Sequence, residues 1–154
     1  MMSDPSKIDP PKDLQPPQCT LLRLRRTTRR VTQIYDRHLA PLGLRVTQYS
    51  LLGSLMGQPP MPIGTFAEIM GMDRTTLTRN VRPLIRAGWI ELAAGDDRRQ
   101  RAIALTPEGK AIFRRAVPLW RQAEGDLRAA VGADAISQLQ HLLDHSLERI
   151  APQP

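Results

Sequence analysis

A chain of 154 residues suffices for one domain, or for one domain with a helical extension. Its hydrophobic content of 41% supplies a core, and with aromatics at only 4% that core must be aliphatic. A formal charge of +7 favours a polyanionic partner, nucleic acid or an anionic membrane surface, while a single cysteine excludes an intramolecular disulfide and fits a reducing cytoplasm.

No apolar run approaches a membrane span and no signal peptide is visible, so a cytoplasmic location without a membrane partner is expected. The sequence carries no G-x-S-x-G elbow, P-loop, H-E-x-x-H or paired-cysteine metal site, and its acids are mostly interspersed among arginines. Neither an enzyme nor a cofactor is expected.

Residues 1–18 are rich in Pro, Ser, Asp and Lys without periodicity and read as a disordered arm. A helix then runs from Cys19 to about Leu39. Leu21, Leu24, Val31, Tyr35 and Leu39 form one stripe, with Thr28 on the same side. Arg23, Arg25, Arg26, Arg29 and Arg30 occupy the rest of the circumference. Five arginines in eight positions repel one another, so they call for acids from elsewhere, a partner chain or phosphates, unless they form a solvated face. Pro41 and Gly43 close this segment. Val46 to Leu55 reads as a second helix with Thr47 as N-cap and Tyr49, Leu52 and Met56 at helical spacing. Gly57 and the Pro59-Pro60-Met61-Pro62 run stop it.

From Ile63 to Gly109 three patterns follow without a gap. A short helix to about Met70 is expected to bury Phe66, Ala67 and Ile69; a Gly71-Met72-Asp73 turn follows, and then a longer helix from Arg74 to Ala87. In that helix Leu77, Val81, Leu84 and Ile85 lie on one apolar stripe. The opposite face carries Thr75, Arg79, Arg82 and Arg86, flanked by Arg74, Thr76 and Thr78, with no acid among them. Asp73 is the expected N-cap and Gly88 the C-terminal stop, and Pro83 is expected to kink the helix mildly. Threonine and arginine can bond base edges, and further arginines neutralise phosphates, so this face suits a DNA major groove. A solvated basic face is the alternative. Trp89–Ala93 and Arg101–Leu105 then read as two strands around a loop in which Asp96, Asp97, Arg98, Arg99 and Arg101 crowd together. In it an Asp beside an Arg can hold a guanidinium for a narrow minor groove.

Thr106 and Pro107 fit N-cap and N1 of the next helix, with Ile112, Phe113, Ala116, Leu119, Trp120, Ala123, Leu127, Ala130 and Val131 on its stripe. Pro118 should bend this helix. Gly132 ends it, Asp134 is expected to cap the last helix, and Ile136, Leu139, Leu143, Leu147 and Ile150 run along that helix's inner side. The expected fold is mainly α with a small β-hairpin wing (α+β): a winged helix-turn-helix over 46–106, between a dimerisation helix over 19–45 and C-terminal dimerisation helices over 107–151. The long apolar terminal helices call for a second copy, since symmetric DNA readers place two half-sites about one turn apart.

From about Cys19 to Ile150 the chain resembles the MarR family of winged-helix regulators. The family's wing signature, D-x-R followed by L-T-x-x-G, stands as Asp97, Arg99, Leu105, Thr106 and Gly109, and the family-like recognition segment as Met72–Ile90. The resemblance implies a homodimer on pseudo-palindromic double-stranded operators, usually a repressor, released by a small, often phenolic, ligand or an oxidant. It also implies Arg99 as the wing-tip residue in the minor groove, with Asp97 holding it.

For the effector, Tyr35, His38, Tyr49 and Trp120 supply rings and polar tips for a ligand cleft, though core packing explains each equally. Some family members sense peroxides through a cysteine near the start of the first helix, bonded to two tyrosines. Cys19 sits in that neighbourhood, with arginines able to lower its pKa. Aligned on Tyr35, that subgroup's cysteine falls near Leu21 and its second tyrosine near Val46. His141, His145 and Glu148 could chelate zinc from one helix face, but such histidines are usually surface residues, and no metal is expected. The rival class is a basic winged helix that docks on RNA or protein.

Overall fold

The computed structural model describes residues 19–94 and 101–150. The expected N-terminal arm and the wing-tip residues Asp96, Asp97, Arg98 and Arg99 lie outside them. Six helices and three strands follow in the order α1 (Thr20–Leu39), α2 (Val46–Leu55), β1 (Met61–Pro62), α3 (Ile63–Ile69), α4 (Arg74–Arg86), β2 (Ile90–Ala94), β3 (Arg101–Leu105), α5 (Pro107–Val131) and α6 (Ala133–Arg149). A short 3-10 turn, Ala40–Leu42, separates α1 from α2.

One aliphatic core joins α1 through α5 and the sheet. Leu39 from α1, Leu51, Leu52 and Leu55 from α2, Phe66 from α3, Leu77, Val81 and Leu84 from α4, Ile90 and Ile103 from the sheet, and Ile112 and Ala116 from α5 are all buried in it. Phe66 is its one buried phenylalanine, which is how a chain so poor in aromatics builds its interior.

The helix-turn-helix owes its shape to two glycine stops. After α3, Gly71 takes φ +60°, its N–H donates to the Glu68 carbonyl, and the Met72 N–H donates to Ala67. After α4, Gly88 takes φ +73°, with its N–H on Ile85 and the Trp89 N–H on Leu84. This double closure requires a left-handed residue, which glycine supplies without a Cβ penalty. α4 and α5 each carry an internal proline, Pro83 and Pro118, and each continues as a single helix.

The sheet departs from the expected two-stranded wing. β3 lies in the middle, antiparallel to β2 from Ile90↔Leu105 to Ala94↔Arg101 and to β1 through Met61↔Ile103 and Pro62↔Ala102. The proline run that read only as a helix stop therefore also supplies an edge strand, where a missing N–H does least harm. β2 starts at Ile90, one residue after the expected Trp89.

Three local expectations are corrected. Ile69 is 59% exposed, because α3 turns only Ile63, Phe66 and Ala67 inward before Gly71 ends it. Thr47 lies inside α2; the N-cap is Arg45, whose N–H donates to Gln48 Oε1 at 2.9 Å, while Asp36 Oδ1 accepts from the Val46 N–H at 2.7 Å. Asp134 sits in the first turn of α6 instead of capping it, the N-cap being Gly132.

Candidate nucleic-acid interface

The surface of α4 follows from its buried side. Leu77, Val81 and Leu84 are fully buried and Ile85 half-buried, which turns Arg74, Thr75, Arg79, Arg82 and Arg86 to solvent. Arg74, Thr75, Thr78, Arg79 and Arg82 surround one shallow hollow of about 380 Å³. Two of the threonines on this helix are already engaged. The Thr76 hydroxyl donates to Asp73 Oδ2 at 2.6 Å, and the Thr78 hydroxyl donates to the Arg74 carbonyl at 2.7 Å. Both hydroxyls donate within the helix, so only their lone pairs remain, able to accept from a base N–H but not to bond a phosphate oxygen.

Asp73 anchors the start of this face. Its Oδ1 accepts from the Thr76 N–H at 2.8 Å, as an N-cap should. The Thr76 hydroxyl, then the Thr76 N–H, hold the Asp73 carboxyl below its ordinary range. A depressed folded pKa means this stabilisation is fully present above the ordinary carboxylate range and is lost as pH falls through the lowered value. Asp73→Ala should therefore lower the melting temperature at neutral pH, and the gap to the native chain should close on acidification. A gap independent of pH would remove the carboxylate from the account.

At the other end of the hairpin, Arg101 is exposed at the start of β3. The junction of the sheet with α5 explains why leucine, threonine and glycine recur in the wing signature. Leu105 is buried; the Thr106 hydroxyl donates to the Gly88 carbonyl at 2.7 Å and accepts from the Gly109 N–H at 2.9 Å. Gly109 packs so close to Trp89 that a Cβ there would lie 2.0 Å from the Trp89 carbonyl oxygen. This junction ties the end of α4 to the start of α5.

A second concavity lies between α1, α5 and α6. It encloses about 600 Å³ and is lined by Leu24, Val31, Tyr35, Trp120, Glu124 and Leu139, among others. Tyr35 donates to Glu124 Oε2, and Glu124 Oε1 accepts from Arg128 Nε at 2.9 Å. Burial first, then the Glu124 bond, push the Tyr35 hydroxyl well above the ordinary phenol range, so it remains a donor. Of the four rings considered for a ligand cleft, Tyr35 and Trp120 line this one. Tyr49 instead stacks on Phe113 and Trp120, with centroids 4.9 and 6.0 Å apart. His38 Nε2 meets Asp126 Oδ2 at 2.8 Å on the surface. Glu124 went unnoticed in the sequence, since it lies 89 residues from Tyr35 and belongs to no local pattern.

Cys19 is exposed and is the N-cap of α1, its Sγ accepting from the Leu22 N–H at 3.4 Å. The Tyr35 hydroxyl donates to Glu124 and Tyr49 is held in a ring stack, so both tyrosines are engaged with α5.

A family model described as MarR family matches residues 42–100. Among solved structures, the transcriptional regulator MosR of M. tuberculosis, in complex with DNA, is 34% identical, with 87% of this chain and 100% of that one covered and a TM-score of 0.73. The multiple antibiotic resistance protein MarR of Salmonella typhimurium is 29% identical over 117 residues, 72% of this chain and 78% of its own length. The HTH-type transcriptional regulator YwoH of Bacillus subtilis is 26% identical over 88 residues, 57% of this chain and 64% of that protein. With its three-stranded winged sheet, its helix-turn-helix and its L-T-x-x-G junction, the chain belongs to the MarR family of transcriptional regulators.

Proposed function

We propose that the chain is a homodimeric, sequence-specific DNA-binding regulator, a repressor, that reads a pseudo-palindromic operator and releases it when a small, phenolic-type ligand arrives. The carrying observation is α4: an acid-free exposed face of Arg74, Thr75, Arg79, Arg82 and Arg86 over fully buried Leu77, Val81 and Leu84. Such a helix enters a major groove with arginines bidentate to guanine and others on phosphates. Asp97, Arg98, Arg99 and Arg101 serve the wing, with Arg99 in the minor groove. MosR, which shares 34% identity, was solved on DNA.

Homodimerisation is supported by what a single copy leaves uncovered. Leu21, Leu24 and Val131, together with Leu142, Leu143 and Leu147 of α6 and Ile150 just after it, are all exposed. A two-fold pair of chains covers such a surface and sets two α4 helices against two half-sites. Release by a ligand is supported by the cleft beside Tyr35 and Trp120, which spans the packing of α1 on α5.

Footprinting the intergenic DNA beside the gene tests the reading, followed by a screen of phenolic compounds and peroxide for release. A protected inverted repeat freed by a phenol is expected; no protected site overturns it. Tyr35→Phe should shift the phenol concentration for half-release about fivefold, the worth of one hydrogen bond of about 1 kcal/mol. Operator affinity should stay as it was. An unchanged release curve would take Tyr35 out of the ligand site.

A further inference from the structure

Arg25 and Arg29 of α1 have no acid within one turn on their own helix. From Thr20 to Tyr35 the helix contains none, and its one carboxylate, Asp36, accepts from the Val46 N–H. Among the described residues no salt bridge reaches Arg25 or Arg29, and both are exposed. On a helix of about 100° per residue they stand one turn apart, immediately beside the stripe that carries Leu21 and Leu24. With Cys19, Leu21, Leu22 and Arg26 they line a hollow of about 240 Å³.

A matching surface lies on α6 of the same chain. Asp144 and Glu148 are also one turn apart, also exposed, and also outside any salt bridge among the described residues. Each directly follows an exposed leucine, Leu143 and Leu147, the latter 73% exposed. Two leucine–acid steps therefore face the same problem as two arginines beside leucines, with the same spacing of about 6 Å. Leu24 of α1 and Leu143 of α6 line the 600 Å³ cleft together, and Arg25 and Asp144 each directly follow one of those leucines in the chain.

We infer that in the homodimer the Arg25–Arg29 edge of α1 docks against the Asp144–Glu148 edge of the partner subunit's α6, a pair of arginine–carboxylate contacts repeated by the two-fold axis. This inference rests on the dimer reading above. The apolar stripe supplies the adhesion; the charged edges set the register, since a one-turn slip leaves one arginine and one carboxylate of each pair unmatched. Because the contacts lie at the rim, assembly is sensitive to salt.

Analytical ultracentrifugation of the full chain tests the pairing, with circular dichroism confirming that each variant keeps its helices. The native dimer should weaken about tenfold between ~50 and ~500 mM salt. Arg25→Glu with Arg29→Glu should weaken the dimer about tenfold or more at low salt, and adding Asp144→Arg with Glu148→Arg should restore it. The neutral variant, Arg25→Gln with Arg29→Gln, should flatten the salt dependence. A dimer indifferent to all three variants overturns the pairing alone. Loss of DNA affinity with an intact, unchanged dimer also overturns it, and assigns these arginines to nucleic acid. A native chain that is monomeric in every salt overturns the dimer reading and the pairing with it.

Discussion

Converting Arg79 and Arg82 together to alanine should weaken operator binding by about 2–5 kcal/mol, since each arginine–DNA contact is worth roughly 1–3 kcal/mol and neighbours add imperfectly. Both side chains are exposed on α4 and rim the same hollow, and neither is needed for the core. The fold should survive, with an unchanged melting temperature. The two single variants separate their roles. Arg79→Ala should blur preference at one base position, whereas a phosphate contact at Arg82 should be lost equally on every sequence and reduce the salt slope by about one. If Arg79→Ala also weakens all sequences alike, Arg79 belongs with the phosphate contacts. A double variant that binds like the native chain would remove α4 from the interface.

Gly109→Ala is expected to destabilise the fold by about 3 kcal/mol or more, the upper range for forcing atoms into a packed site. The added Cβ would meet the Trp89 carbonyl oxygen at 2.0 Å, the Trp89 carbonyl carbon at 2.9 Å and Leu105 Cδ2 at 3.1 Å. Two of those atoms are backbone and cannot swing aside. The strain falls where the Trp89 carbonyl also accepts from the Thr106 N–H, so the tie between β2 and α5 should loosen first. Gly125 supplies the control within the same helix. Its Cβ would meet nothing within 4 Å, so Gly125→Ala should gain about 0.5–1 kcal/mol from reduced backbone entropy. Chemical denaturation of the pair reads both signs. Equal effects at the two positions would mean that close approach, the stated reason for glycine in the L-T-x-x-G signature, is wrong.

The elements legible in the sequence are those whose causes are local. The apolar spacing of Leu77, Val81 and Leu84 marked α4, the Asp73 carboxylate and Gly88 marked its ends, and Thr106 with Pro107 marked the start of α5. The misreadings share a different cause. β1 has only two residues, one a proline, and becomes a strand only because β3 lies beside it. Thr47 and Asp134 have good capping chemistry, yet Asp36 and Gly132 decide where those helices begin. Ile69 follows Phe66 by three residues but lies off the face that Ile63, Phe66 and Ala67 turn inward, so it stays exposed while Met70 packs on the core.

The candidate site divides along the same line. The arginine and threonine face could be read off one helix, because a single period generates it. The cleft could not, because Tyr35, Trp120 and Glu124 meet only through the packing of α1 on α5. His38 and Tyr49 carry suitable chemistry but are occupied elsewhere, by Asp126 and by Phe113.

The most direct measurement is a titration of one palindromic duplex and its scrambled counterpart at two salt concentrations, with the mass of the complex determined alongside. The account predicts two chains on the palindrome and affinity at least about a thousandfold above the scrambled duplex, falling steeply with salt. One chain per duplex, or equal affinity for both duplexes, would contradict it.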